Sequence, residues 1–352
     1  MRVPLTGMEG AELAEAAGFD RGFRALQVFR WIARGAESFA DMSDLPLPER
    51  ERLERDFGPL YGTRVDASLE DGDGTVKLRV RLADGAAVEC VLLTDIEGRM
   101  TACISTQVGC PMACAFCKTG TLGFLRNLEA CEIVEQYLHL AKRYGRPSNL
   151  VFMGMGEPLL NLEAVRKSIA VLSSPDGFDL SYRKITISTC GIVPGIRELA
   201  ANGPHVRLAV SLTAADDTLR SELMPVNKRW PLAELRAALL DYQKATGDRI
   251  TLEAALMGDR NCGPGEAEKL ARFIGRMKAQ VNLIPWNPVD GLPFKEPTRA
   301  QVEAMERRLE ELGVTVNRRM KRGRGVSGAC GQLGDTGEVS PKRRAADVRE
   351  GD

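Results

Sequence analysis

The chain has 352 residues, enough for about two domains, and 44% of them are hydrophobic, so it can bury a sizeable core. Its 48 basic and 48 acidic residues cancel, which excludes a strongly charged protein. No apolar run is long enough to span a bilayer, and MRVPLTGMEGAELAE lacks the apolar stretch of a signal peptide. We therefore expect a cytoplasmic protein without membrane association, in which clustered cysteines bind metal or react.

The first hundred residues divide into a helical part and an extended part. Residues 1–60 are predicted to form a helical accessory domain, because the apolar residues of LQVFRWIARG recur at close to helical spacing. Residues 61–98 are predicted to form a small β extension. There TVKLRVRL alternates apolar and polar residues between the turn signals DGDG and ADG, which is typical of a strand with one buried face.

Short apolar runs alternate regularly with helical stretches over residues 99–320. The predicted strands are 101–106, 149–153, 184–189, 206–212, 250–256 and 281–284. The predicted helices are 129–143, 161–172, 194–202, 231–245, 264–278 and 298–312. Six β/α units in series predict a parallel sheet of α/β class, either doubly wound or curled into a partial barrel. Sites in such folds lie at the carboxyl ends of the strands.

The C-terminal part of the chain is first basic and then polar. Between residues 315 and 325 it has no acidic residue and these basic ones: Arg318, Arg319, Lys321, Arg322 and Arg324. Such a run is either a solvated surface, which charge alone favours, or a phosphate-binding patch. Residues 335–352 are poor in apolar residues and are predicted to form a disordered tail.

The run GCPMACAFCKTG contains three closely spaced cysteines, Cys110, Cys114 and Cys117. Three such thiolates can hold three corners of a [4Fe–4S] cluster, which normally takes four, and leave one iron open for a substrate. A zinc site is the alternative, with a distant cysteine or histidine as fourth ligand. Zinc is disfavoured because the chain has no second C-x₂-C pair and only two histidines, His139 and His205.

Polar residues follow the later strands at the level of this triplet. In MGMGEPLLN, Gly154 and Gly156 let a ligand approach the backbone, and Glu157 offers an acceptor for an ammonium group. Further polar residues at successive strand ends are Ser188, Ser211, Thr213 and Asn287. Each alone is more often a cap or turn residue, but together they are consistent with a ring of ligand contacts.

Two cysteines outside the triplet, Cys103 and Cys330, have distinctive positions. Cys103 lies on the first strand of the β/α region, and Cys330 lies in the glycine-rich run GVSGACGQLG, which favours a nucleophile that visits a site. The remaining lone cysteines that we considered are predicted to be small buried hydrophobes: Cys131, Cys190 and Cys262. Glu89 in AAVECVLL is a candidate general base, although a surface strand residue is an equally good interpretation.

These motifs resemble the dual-specificity radical S-adenosylmethionine (SAM) enzymes, which methylate C2 of an adenine in 23S rRNA and of an adenine beside the tRNA anticodon. The matching runs are FRALQVFRWI, ACISTQVGCPMACAFCKTGTLGFLRNL, VFMGMGEPLLN, ITISTCGIVPGI, LMPVNKRWPL, VNLIPWNP and ACGQL. The sister group methylates C8 of the same rRNA adenine and shares the triplet, the glutamate and the two cysteines. FRALQVFRWI and MPVN fit the C2 group better.

The resemblance implies a radical SAM partial (β/α)₆ barrel over residues 99–320, with a [4Fe–4S] cluster on the cysteine triplet and two SAM molecules per turnover. The implied SAM-site residues are Gly156, Glu157, Ser188, Ser211, Leu212, Thr213 and Asn287. Cys330, in a loop at 321–334, would carry the methyl group. Cys103 would resolve the RNA adduct by a disulfide with Cys330, and Glu89 would accept the C2 proton.

The resemblance also implies a monomer that acts on 23S rRNA and tRNA, takes electrons from a donor such as flavodoxin or ferredoxin, and uses its N-terminal helices for RNA recognition. Relatives often have His in place of Thr213 and Ser in place of Cys190. Two other interpretations stay open: a radical SAM enzyme with another substrate, such as a glycyl-radical activator, and a non-catalytic, zinc-stabilised RNA-binding protein.

Overall fold

In the computed structural model of the chain, the described residues are 3–20, 22–319 and 321–335. Apart from Asp335, the predicted disordered tail at 335–352 lies outside them. None of the helices in this part of the chain combines the length and the apolar character that crossing a bilayer requires.

Helices and strands follow one another largely as the sequence predicts. The helices are α1 (Gly10–Ala16), α2 (Gly22–Arg34), α3 (Leu47–Phe57), α4 (Lys118–Thr121), α5 (Ala130–Tyr144), α6 (Leu162–Ser173), α7 (Val193–Asn202), α8 (Asp217–Leu223), α9 (Leu232–Thr246), α10 (Glu266–Ile274) and α11 (Arg299–Glu311). The strands are β1 (Arg64–Glu70), β2 (Val76–Arg81), β3 (Ala87–Thr94), β4 (Met100–Cys103), β5 (Gln107–Gly109), β6 (Phe124–Asn127), β7 (Asn149–Phe152), β8 (Ile185–Thr189), β9 (Arg207–Ser211), β10 (Ile250–Leu256), β11 (Ala279–Pro285) and β12 (Val316–Arg318).

A single sheet of ten strands forms the centre of the fold, in the order β1-β2-β3-β4-β7-β8-β9-β10-β11-β12. Within this sheet β4 and the strands from β7 to β12 are parallel, which confirms the predicted α/β class. Strands β5 and β6 form a separate antiparallel pair. Strand β12 was not predicted and adds a seventh parallel strand to the predicted six. The first predicted strand ends early, at Cys103, because the chain then follows the turn after β7, where the Thr106 amide donates to the Met155 carbonyl at 2.8 Å.

The predicted β extension is the antiparallel edge of this same sheet. Strand β3 pairs with β2 on one side and with β4 on the other, and Val91 lies opposite Cys103. The central position of β3 explains why its residues Ala87 to Leu92 are all buried. The extension therefore lies beside the strand that leads into the cysteine triplet.

The N-terminal helices dock on the core through a buried carboxylate, Glu135 of α5. Its oxygens accept hydrogen bonds from the hydroxyl groups of Thr6 and Thr63, both at 2.6 Å, and from the amides of Gly62 and Thr63, at 3.0 and 2.8 Å. Thr6 precedes the helices and Gly62 follows them, so one side chain of the core fixes both ends of the helical region.

The stability of this docking should depend on pH. Burial raises the pKa of Glu135 from its ordinary 4.5 to about 7. Because the folded state then binds the proton more tightly than the unfolded state, Glu135 stabilises the fold fully below pH 4.5, and this contribution disappears as the pH rises through 7. The difference in the pKa of Glu135 between the unfolded and the folded state corresponds to about 3 kcal/mol in the free energy of unfolding.

Urea unfolding of the wild type and of Glu135→Gln, measured at about pH 5 and about pH 9, checks this expectation. The wild type should lose about 3 kcal/mol more than the variant between the two pH values, because the amide does not titrate. An equal loss in both proteins would show that Glu135 keeps one protonation state throughout.

Candidate active site

The three cysteines of the triplet line one cavity of about 180 Å³, which we call the inner cavity. They follow β5 and lead into α4, and the cavity lies at the carboxyl ends of β7 to β11. The turn is tight: the Cys117 amide donates to the Cys114 carbonyl at 3.2 Å, and a Cβ on Gly120 would lie 2.8 Å from the Cys114 carbonyl oxygen. The fold thus directs the triplet to the edge where the sequence predicts the site.

The chemistry of the triplet fits an iron–sulfur cluster. Burial raises the pKa of Cys110 to about 12 and raises the pKa of Cys114 strongly, so these thiols need a bound cation to become thiolates. Among the described residues, no three Cys, His, Asp or Glu side chains converge on one metal ion. A single zinc would draw its sulfurs to within about 4 Å of one another, whereas a cluster offers each thiolate a different iron.

Gly154 and Gly156, after β7, are required by packing within the protein. A Cβ on Gly154 would lie 2.6 Å from the backbone carbon of Ile104, and one on Gly156 would lie 2.6 Å from the Cβ of Gln107. Gly156 also has a positive φ of 103°, which strains any other residue. The sequence predicts that these glycines admit a ligand. One side of the turn instead packs on residues 104–107, and only its other side borders the inner cavity.

Glu157 is buried at the wall of the inner cavity, and two backbone amides orient its carboxylate. The amide of Leu159 donates to Oε1 at 3.1 Å, and the amide of Cys190 donates to Oε2 at 2.7 Å. Burial raises the pKa of Glu157. Hydrogen bonds from the Cys190 and Thr189 side chains act in the opposite direction. A carboxylate at this wall can accept a hydrogen bond from an ammonium group in the cavity.

The structure brings most of the predicted SAM-site residues together. Those that line the inner cavity are Gly156, Glu157, Ser188, Ser211 and Thr213. Leu212 is fully buried and lines neither cavity, because its side chain alternates away from that of Ser211. Asn287 lines an adjoining cavity instead.

Two buried polar atoms at this site lack a hydrogen-bond partner in the described structure. They are the hydroxyl oxygen of Thr213 and the side-chain oxygen of Asn287. A buried polar atom without a partner costs about 1–3 kcal/mol, so such atoms normally face a ligand or water. Their presence fits a polar ligand, such as SAM, between these residues.

The adjoining cavity, which we call the outer cavity, has a volume of about 420 Å³ and lies between the β extension and the C-terminal segment. Cys103 and Cys330 both line it, and Cys330 also lines the inner cavity. Cys103 is buried, and burial raises its pKa to about 12. Cys330 is exposed as a residue, but its thiol lies in the cavity wall, where burial also raises its pKa. Cys330 thus lies on the wall that the two cavities share.

No disulfide joins Cys103 and Cys330, since all nine cysteines are free thiols. The disulfide that the resemblance implies is not present in the structure.

Glu89 does not reach either cavity. Its side chain is buried, with Oε1 2.8 Å from the ammonium group of Lys77, while Oε2 accepts hydrogen bonds from the amides of Gly334 at 2.7 Å and Asp335 at 3.2 Å. The interpretation of Glu89 as a surface strand residue is wrong, because β3 is an inner strand and the C-terminal segment covers this part of it.

The basic run near the C-terminus is compensated by acidic side chains. Arg318 lies near Glu303 and Glu306, and both Lys321 and Arg324 pair with Glu296. Other members of the run line the outer cavity, where the Arg322 side chain donates to the Thr94 carbonyl. The run is therefore partly neutralised by glutamates that precede it in the chain.

Sequence reasoning missed three residues of the site: Cys190, Glu253 and Arg220. Cys190 is buried as predicted, but it also lines the inner cavity. Glu253 of β10 is buried there too, and its Oε1 accepts a hydrogen bond from Asn282 at 2.9 Å. A lone carboxylate in the apolar strand ITLEAAL was the available signal for Glu253.

Arg220 of α8 supports the site from behind. It is 1% exposed and donates to the carbonyls of Cys190 at 2.7 Å and of Ser211 and Leu212, both at 3.2 Å. It also donates to the side chain of Asn227 at 2.9 Å. One guanidinium therefore ties together the segments that follow β8 and β9, which no local sequence pattern indicates.

Comparison with known proteins agrees with this site. Residues 104–274 match the radical SAM superfamily. The chain is 50% identical over 335 residues to the probable dual-specificity RNA methyltransferase RlmN of Treponema denticola, which covers 95% of this chain and 96% of the relative. It is 46% identical over 344 residues to the probable RlmN of Moorella thermoacetica, covering 94% and 97%.

A solved structure extends the comparison to the whole fold. The crystal structure of a radical SAM methyltransferase from Sphaerobacter thermophilus superposes with a TM-score of 0.91 and 39% identity, over 94% of this chain and 99% of that one. Together with the similarity to RlmN over nearly the full length, this shows that the chain belongs to the RlmN family of radical SAM dual-specificity RNA methyltransferases.

Proposed function

We propose that the protein methylates C2 of an adenine in 23S rRNA and in certain tRNAs, through a methyl group carried on Cys330. The main support is the position of Cys330 on the wall between the inner and outer cavities. A thiol there can receive a methyl group from one cavity and present it to a base in the other. The names of the relatives, dual-specificity RNA methyltransferases, support RNA as the substrate.

In this proposal Cys110, Cys114 and Cys117 hold a [4Fe–4S] cluster in the inner cavity. When bound, one SAM molecule would supply the methyl group, and a second SAM molecule together with the cluster would supply the 5′-deoxyadenosyl radical. Two SAM molecules are thus used per turnover. Glu157 accepts hydrogen bonds from the SAM amino group, and the unpaired hydroxyl of Thr213 binds another polar group of SAM. The other contacts to SAM come from Gly156, Ser188, Ser211, Leu212 and Asn287, of which Leu212 can offer only its backbone.

Cys330 and Cys103, which both line the outer cavity, have different roles in the transfer of the methyl group. The C2 hydrogen of adenine is not acidic, so the ring carbon cannot attack the SAM methyl group directly. Cys330 would take the methyl group as a thioether, lose a hydrogen atom from it to the radical, and bond through that carbon to C2, which leaves an unpaired electron on the base. The adduct would then lose the C2 proton and pass that electron to the cluster, which restores the aromatic ring. The Cys103 thiolate would attack the sulfur of Cys330 and form a disulfide, and the expelled methylene carbon would take up a proton to give 2-methyladenosine.

Glu89 is the proposed acceptor of the C2 proton. Its carboxylate is enclosed by Lys77 and by the amides of Gly334 and Asp335, so this role requires those two residues to move away first.

The RNA contacts are proposed to extend to the helical region at 1–60. A cleft of about 430 Å³ between α2 and α5 is lined by the cations Arg30, Arg34, Lys142 and Arg146. Among the described residues that line it, Asp176 is the only acidic one, while Lys142 pairs with Glu37 at 2.9 Å. The excess of cations suits phosphate groups. Filter binding of 23S rRNA to Arg34→Ala/Arg146→Ala should be weaker and less salt-dependent than for the wild type; unchanged binding would assign RNA recognition elsewhere.

We propose that residues 61–98 form the β extension and that residues 321–334 form the loop that carries Cys330. We also propose a cytoplasmic monomer that receives electrons from a flavodoxin or ferredoxin. A reducing compartment would allow the proposed Cys103–Cys330 disulfide to be reduced after each turnover. Size-exclusion chromatography with light scattering tests the monomer, and SAM cleavage with each reduced donor tests the electron source.

The function is tested with protein purified without oxygen and incubated with SAM, a reductant and 23S rRNA or tRNA that lacks the modification. Digested RNA is analysed by nucleoside mass spectrometry against 2-methyladenosine and 8-methyladenosine standards. A 2-methyladenosine peak is expected. An 8-methyladenosine peak would overturn the regiochemistry, and SAM cleavage without any methyladenosine would overturn the RNA methyltransferase assignment.

A further inference from the structure

The segment that carries Cys330 is held at both ends by acidic side chains of the β extension. We call residues 321–335, which contain Cys330, the carrier segment, and residues 71–75, between β1 and β2, the hairpin tip. The amides of Gly323 and Gly325 donate to the carboxylates of Asp73 and Asp71, each at 2.8 Å. At the other end, Glu89 accepts from Gly334 at 2.7 Å.

The hairpin tip approaches the carrier segment as closely as its backbone allows. A Cβ on Gly323 would lie 2.7 Å from the methyl carbon of Thr75, and one on Gly325 would lie 2.9 Å from Oδ1 of Asp71. A larger residue at either position would displace a side chain of the hairpin tip or the segment itself.

Both aspartates are oriented before they bind the segment. Oδ1 of Asp71 accepts from the amide of Gly72 at 2.7 Å, and Oδ1 of Asp73 accepts from the amide of Thr75 at 2.9 Å. Each aspartate thus uses one oxygen to fix its own turn and the other to bind the carrier segment. This division of roles gives a rigid contact with little loss of side-chain entropy on binding.

On its opposite side the carrier segment is fixed to the triplet loop and to the end of β11. The amide of Lys118 donates to the Gly331 carbonyl at 2.8 Å, the hydroxyl of Thr119 donates to the Leu333 carbonyl at 2.7 Å, and Asn287 donates to the Cys330 carbonyl at 3.3 Å. Cys330 therefore lies between a rigid turn of the extension and the loop of the candidate cluster ligands.

We propose that Asp71 and Asp73 are positioning residues, which clamp the carrier segment so that Cys330 stays on the wall between the two cavities. The inference rests on the proposed role of Cys330 as methyl carrier. Neither aspartate lines a cavity, so both act only through the segment they hold. Displacement of a reacting group by about 1 Å can lower a rate about 100-fold. Because the clamp holds Cys330 in place, it sets the fraction of 5′-deoxyadenosyl radicals that lead to a methylated base.

The test is Asp71→Ala/Asp73→Ala in the complete, cluster-containing protein. SAM cleavage should continue at the wild-type rate, while the number of 5′-deoxyadenosine molecules formed per methyladenosine should rise about tenfold or more. Hydrogen exchange at the amides of Gly323 and Gly325 should accelerate. Gly325→Ala, which keeps both carboxylates but pushes the segment away from Asp71, should raise the same ratio.

Asp84→Ala is the matched control. Asp84 caps the turn between β2 and β3 by accepting from the Ala86 amide at 2.9 Å, and it pairs with Arg126 rather than with the carrier segment. Asp84→Ala should keep the wild-type ratio of 5′-deoxyadenosine to methyladenosine. A wild-type ratio in the double variant, or an equal rise in Asp84→Ala, would overturn the clamp.

Failure of the proposed function would be distinguishable from failure of the clamp. If the wild type forms no methyladenosine, the role of Cys330 is wrong, but hydrogen exchange still tests the contact. Faster exchange at 323 and 325 in the double variant alone would support the clamp, and unchanged exchange would refute it.

Discussion

Cys330→Ala is expected to abolish RNA methylation, with a loss of at least about a thousandfold, because no other side chain can take over the covalent role of the carrier. The variant should still take up the cluster and cleave SAM to 5′-deoxyadenosine, since Cys110, Cys114, Cys117 and Glu157 remain in place around the inner cavity. Anaerobic assays of methyladenosine and 5′-deoxyadenosine in the same reaction separate the two activities.

Cys262→Ala provides the control, because Cys262 is a half-buried thiol that lines neither cavity. It should methylate RNA at close to the wild-type rate. Methylation by Cys330→Ala at more than about a tenth of the wild-type rate would exclude the carrier role. It would leave an RNA methyltransferase whose methyl group reaches the base without passing through Cys330.

Arg220→Ala should lower the free energy of unfolding by about 4 kcal/mol. The substitution leaves a cavity and removes the partner of three backbone carbonyls and of the Asn227 side chain, all of them at buried or half-buried positions. It should also weaken SAM binding, because Cys190 and Ser211 lie on segments that Arg220 ties together. Urea unfolding and calorimetric titration with SAM measure the two effects.

Arg197→Ala is the matched control for a surface arginine. Arg197 is 56% exposed and lies 3.8 Å from Asp241, so its removal should change the free energy of unfolding by less than about 1 kcal/mol. If Arg220→Ala and Arg197→Ala unfold at the same urea concentration, the buried guanidinium does not stabilise the strand ends as described.

Periodic features of the sequence were enough to predict most of the β/α region. The strand at Ile250–Leu256 was predicted with its observed ends, because it is a short apolar run between two strongly patterned helices. The predicted helix at 298–312 agrees with α11 to within one residue at each end. At its N-terminus, Thr298 and Gln301 form a capping box. Strand β12 escaped prediction because VNR has no apolar pattern of its own and pairs only with β11.

The environment of the candidate site could not be predicted in the same way, because it depends on contacts between distant residues. Glu89 is buried by Gly334, which lies 245 positions later in the chain. The charges of Lys321 and Arg324 are compensated by Glu296, which lies outside the basic run. The cysteine triplet was recognisable because its spacing is local, whereas the support from Arg220 involves two separate segments of backbone.

The shared wall between the inner and outer cavities also has a consequence for inhibition. Because Cys330 separates them, a compound that fills the inner cavity would compete with SAM but leave the outer cavity free for RNA. Inhibitors of the two cavities would then show different kinetic patterns, and a compound that bridges both would have to react with or displace the carrier thiol. Cys330 is thus the natural attachment point for a covalent inhibitor, since its thiol lies in this wall.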